Sequence, residues 1–93
     1  MDPKESANID CLKSNKELIR LVGLYISYQE RLNGWNDASI GRAVGCTKQG
    51  IYSVRHGITQ TCSISFISHI ARVFGFTLVE LIDEARRVEA EGL

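Results

Sequence analysis

Residues 38–57 read ASIGRAVGCTKQGIYSVRHG. Gly41 and Gly45 stand at helical spacing, Cys46-Thr47 follows, and the run ends in Arg55-His56-Gly57. The spacing predicts two short helices joined by a tight turn. Asn36 is a good N-cap for the first, Asp37–Val44, and Asp37 suits its positive end. Gly45 closes that helix, because glycine takes turn conformations that side chains resist. Thr47 caps the second, Lys48–His56, and Gly57 closes it. Such a pair is a helix-turn-helix. The helices cross closely, so Gly41 has to be small. Ile40, Val44, Cys46, Ile51 and Val54 form the apolar underside, which leaves Lys48, Gln49, Tyr52, Ser53 and His56 facing outward.

Charge sets this region apart. From Ala38 to Val79 there is no Asp or Glu, although the chain has 11 acidic and 11 basic side chains and is neutral overall. That stretch holds Arg42, Lys48, Arg55 and Arg72. Residues 1–37 are nearly balanced, and residues 80–93 carry an excess of acid. A patch cleared of negative charge suits a polyanion, since acids near phosphates repel it.

Outward from the pair, helical signals continue. Ser14-Asn-Lys-Glu17 reads as a capping box. It predicts a first helix from about Asn15 to Asn33, with Leu18, Ile19, Val22, Tyr25, Ile26, Gln29 and Leu32 inward. Residues 1–13, without periodicity, are expected to form a mobile arm. Downstream, Ser63 opens a helix to Phe74 with Ile64, Ile67, Ile70, Ala71 and Phe74 inward. TCSISFIS alternates with period two, a strand pattern, but a lone strand has no partner here and the helical spacing runs on to Phe74. Thr77-Leu-Val-Glu80 is a second capping box, starting a helix with Leu78, Leu81, Ile82, Ala85 and Val88 inward. The expectation is a single all-α domain of five helices over residues 14–84, with 85–93 ending the last helix.

Ninety-three residues leave no room for two cores. No apolar run approaches the roughly 20 residues of a membrane span, and the polar, acidic MDPKESANID is unlike a secretory signal. The cytoplasm is the expected compartment. Cys11, Cys46 and Cys62 lie far apart with no C-x-x-C, so reduced thiols are expected rather than a zinc site. Ser65, Ser68 and His69 lack the positioned acid that a hydrolytic triad needs. No enzyme, metal or cofactor is expected.

The ordered positions resemble the Cro and phage-repressor-like (Xre) helix-turn-helix proteins. The resemblance rests on GWNDASIGRAVGCTKQGIYSVRHG, residues 34–57, followed by SISFISHIARVFGFTLVELI, and covers about residues 19–83. It implies a lambda-repressor-like bundle that binds a double-stranded DNA operator as a homodimer and regulates transcription, as phage or prophage repressors do. Departures from the family pattern include ITQT after Gly57, where a basic or proline-containing loop is frequent, Gly50 within the recognition helix, and two charged positions. Asp37 stands where Gln often donates to a phosphate, which Asp cannot do. Arg55 stands where an acid is common.

On that resemblance, Lys48 and Gln49 at the start of the recognition helix are placed to read base edges, by guanine O6/N7 and adenine N6/N7 pairing. Thr47 opens that helix, and Tyr52 and Ser53 lie one turn further on, near a thymine methyl or a phosphate. Arg42, Arg55 and His56 are candidate phosphate contacts, as are Ser39 and Thr59. Each is also an ordinary surface residue type, and Tyr52 alternatively packs on the preceding helix. Trp35 reads as a core plug. A second class of function stays open: an antitoxin-like interaction module whose protein partner docks on the C-terminal helix VELIDEARRVEAEGL. That helix, from Ala85 onward, is also one dimer seam. The other is Leu21, Leu24 and Tyr28 on the first helix.

Overall fold

The computed structural model describes the backbone of residues 3–58 and 63–92, and side chains from Lys16 onward. Five helices follow one another: α1 Pro3–Asn33, α2 Asp37–Val44, α3 Lys48–Arg55, α4 Ile64–Val73 and α5 Leu78–Glu91. Among the described residues there is no strand, and no single helix is long and apolar enough to cross a membrane. The chain is an all-α bundle.

The helix ends follow local chemistry. The Asn36 side chain accepts from the Ser39 backbone N–H, and Ser39 Oγ accepts from the Asn36 N–H, a reciprocal box. Thr47 accepts from Gly50 N–H at 3.1 Å, and Ser63 accepts from Phe66 N–H at 3.1 Å. Thr77 and Glu80 close the second box as expected. Gly45 turns the chain with φ +91°, in the left-handed region that costs other residues energy. The Cys46 and Gly45 N–H groups both donate to the Gly41 carbonyl, which locks the turn.

α3 and α4 each end one residue short of the expected His56 and Phe74, and the start of α1 differs more. α1 begins at Pro3 and runs straight through Ser14. A proline is tolerated in the first helical turn, where its missing N–H costs nothing. The Ser14–Glu17 signal therefore lies inside a continuous helix, and the expected arm is helical from residue 3. At 31 residues, α1 is about 46 Å long and sets the 47 Å long dimension of the molecule.

α1 is the spine. It packs against α3 and α5, α2 packs on α3 and α4, and α4 meets α5. A side chain at Gly23 would place its Cβ 2.7 Å from the Val54 carbonyl oxygen, so α1 and α3 meet backbone to backbone. Leu18, Ile19, Val22, Tyr25 and Ile26 are buried with Ile40, Ile51, Val54, Ile67, Ile70, Ala71, Leu81, Ala85 and Val88. The Tyr25 ring meets Tyr28, Phe74 and Phe76 edge-on at 5.5–5.8 Å, and Trp35 meets Phe74 at 5.9 Å. Such edge-to-face pairs suit the ring quadrupoles. Trp35 thus packs as a half-buried plug.

Several assignments change. Leu32 and Ile64, read as inward, are exposed. Leu21, read as part of an outer seam, is 1 % exposed, and Leu24 and Tyr28 pack against the core. Partners on two sides of α1 bury a broader face than one apolar stripe. At the other end, Ala85 and Val88 are fully enclosed, so the apolar stripe of outer α5 is spent within the chain.

Candidate nucleic-acid interface

α2, the three-residue turn and α3 form the expected helix-turn-helix. Gly41 is buried at the crossing, where an added Cβ would lie 3.0–3.1 Å from backbone atoms of Cys46 and Thr47. Ile40, Ile51 and Val54 are buried beneath, with Val44 and Cys46 partly so. Burial also pushes the Cys46 thiol up from its ordinary value.

With Ile51 and Val54 inward, the opposite side of α3 is open. Lys48, Gln49, Tyr52 and His56 are exposed, and Ser53 is half-buried. Lys48 and Gln49 occupy the first turn. The Tyr52 and His56 rings lie in contact, centroids 4.2 Å apart and tilted by 42°, and the Arg55 guanidinium lies 5.8 Å from the Tyr52 centroid, within cation–π range. Tyr52 is 39 % exposed on this face. Arg42 is exposed in the last turn of α2. Thr59 lies outside the described residues.

Three hydrogen-bonding groups among the expected contacts are engaged within the chain. Thr47 Oγ1 caps α3. Ser39 Oγ serves the α2 box and also donates to the Asn36 carbonyl. The third is Arg55. Its Nε and Nη2 each donate to Asp37 at 3.0 Å, a bidentate fork, and Nε lies 3.4 Å from Glu30 Oε1. Asp37 is 7 % exposed. The Arg55 guanidinium, expected to face a phosphate, is thus held on two carboxylates, with its side chain 24 % exposed.

Sequence reasoning missed Glu30 altogether. It is half-buried, and its Oε2 is buried with no hydrogen-bond donor among the described residues. Desolvation and then the neighbouring Asp37 carboxylate push Glu30 up to about 7, against the pull of Arg55. Burial acts to raise Asp37 as well, but the Arg55 fork outweighs it and holds that carboxyl below its ordinary value. A signal for two of its three members was present. Asp37 and Arg55 were both singled out in the sequence, and they are opposite in sign.

The acidic end of α5 is mostly paired inside the chain. Arg87 bridges Glu84 and Glu91, both at 2.9 Å, and Arg20 holds Glu17 and Glu89. Comparison with protein-family models, curated proteins and solved structures finds no match for the chain.

Proposed function

We propose that the chain binds double-stranded DNA sequence-specifically and regulates transcription, in the cytoplasm, as a repressor-type protein. α3 would enter the major groove while α2 crosses the backbone. One observation carries this: the first turn of α3 presents Lys48 and Gln49 to solvent on a closely crossed helix pair whose one acid, Asp37, is buried and neutralised. Lysine and glutamine are donors suited to guanine and adenine edges. Arg42 on α2 supplies a phosphate contact, and Tyr52 with His56 an exposed aromatic pair one turn further along.

One such unit makes few contacts, so useful affinity calls for a homodimer on a two-fold-symmetric site. Docking of a protein partner on α5 draws no support from its acids, which are largely self-paired.

The test is selection of bound duplexes from a random-sequence library, followed by Lys48→Ala and Gln49→Ala. Each variant is expected to lose about 1–3 kcal/mol on the selected site and to relax preference at one base pair. Failure to enrich any sequence, or full affinity in both variants, overturns the proposal.

A further inference from the structure

Three helices converge on one small charged cluster. Glu30 comes from the last turns of α1, Asp37 opens α2, and Arg55 closes α3. Two carboxylates face one guanidinium, and the second oxygen of Glu30 finds no donor among the described residues. Two ionised carboxylates sharing one cation in a partly buried site leave one negative charge in excess. A single proton resolves both problems: it neutralises Glu30 and supplies a donor toward Asp37.

We propose that Glu30, Asp37 and Arg55 form a positioning latch, closed by one proton held between the two carboxyls, that fixes α2 and α3 on the α1 spine and so sets the placement of the exposed α3 face. The charged groups around it come from every helix packed there. α1 supplies Glu30, and α2 supplies Asp37. α3 supplies Arg55, with Lys48 lining the same shallow cavity as all three, and His56, which acts on Asp37 through space. Tyr52 faces Arg55 from the outer side.

The sign follows from the raised carboxyl. Glu30 titrates near 7 in the folded chain against an ordinary 4.5. Its contribution to stability is full below about 4.5, declines as pH rises, and is gone above about 7. Asp37 is shifted the other way, so its contribution is present at neutral pH and lost only as pH falls below its ordinary 3.8. An ionised cluster also places its excess negative charge beside Lys48. DNA binding, which this step takes from the proposed function, should therefore favour the protonated latch. A one-unit rise of the Glu30 midpoint on binding corresponds to tenfold tighter binding at low pH than at high pH.

Glu30→Gln keeps a donor and removes the titration. Urea unfolding of both proteins from pH 5 to 8 should show the variant gaining on wild type up to about pH 7, then a constant difference. Carbon-13 NMR should find the wild-type Glu30 carboxyl titrating near 7. A difference that does not vary with pH, including a parallel decline in both proteins, or an ordinary Glu30 midpoint, overturns the latch. The second arm measures binding of a random-sequence duplex and of the selected site at pH 6 and 8. Wild type should weaken up to tenfold at pH 8 while the variant changes less. Equal pH dependence overturns the link to α3. If neither protein binds DNA at any pH, the proposed function falls, while unfolding and NMR still decide the latch.

Discussion

Gly41 and Gly50 both lie in the helix-turn-helix, yet their surroundings differ. A Cβ on Gly41 would press on the backbone of Cys46 and Thr47, which cannot move without undoing the turn. Gly41→Ala is expected to cost about 1–3 kcal/mol, the usual range for overpacking. At Gly50 the nearest atoms are side-chain atoms of Thr47 and Cys46 at 3.5–3.9 Å, ordinary contact distances. Gly50→Ala should leave the fold intact and stabilise it by about 0.4–1 kcal/mol, because alanine restricts the unfolded chain. Urea denaturation of the two variants checks both signs. Arginines separate in the same manner. Arg55→Ala leaves Asp37 and Glu30 facing each other, so it should cost about 3 kcal/mol of stability, the low end for a broken buried pair, since Arg55 is partly exposed. Arg42→Ala should leave stability almost unchanged and reduce the slope of log affinity against log salt by about one. The discriminating measurement is paired unfolding and salt titration: a stable Arg55→Ala protein with a reduced salt slope would return Arg55 to the phosphate role.

At the scale of elements, α1 and α5 carry the same kind of N-terminal signal with different outcomes. Thr77–Glu80 is a working box at the start of α5. Ser14–Glu17 has the same pattern inside α1, where the preceding residues are already helical. Thr77→Ala is expected to cost about 1 kcal/mol, as loss of a cap does. Ser14→Ala should be neutral or stabilising by about 0.5 kcal/mol, because within a helix alanine is the better former. Equal losses in thermal unfolding would mean that α1 starts at Ser14 after all. Capping signals are necessary for many helix starts without being sufficient, since a serine satisfies only its own neighbourhood and cannot stop helix arriving from upstream.

For the whole molecule, α1 and α5 decide what a dimer can use. Ala85 and Val88 close the core beneath α1, and Leu21, Leu24 and Tyr28 face partners inside the same chain. Ending the chain after Glu84 should therefore abolish cooperative unfolding by circular dichroism rather than produce a folded monomer. A truncated protein of wild-type stability would show that outer α5 is dispensable to the core. Among the described residues, the large apolar side chains left in solvent are Leu32, Tyr52, Ile58, Ile64 and Val79.

The sequence by itself determined the helix count, the helix-turn-helix boundaries and nearly every cap. Those features are local: Asn36, Thr47, Ser63 and Thr77 bond to backbone N–H groups three residues on, and Gly45 answers to its own φ. The outward set Lys48, Gln49, Tyr52 and His56 was legible for the same reason, since helical periodicity places it opposite Ile51 and Val54. Tertiary structure alone decided the width of the buried face of α1, the exposure of Leu32 and Ile64, and the carboxylate partners of Arg55. Each depends on which helices approach from afar, and a charged side chain takes its partner from whichever helix arrives. For Arg55 those were the ends of two others, carrying Glu30 and Asp37.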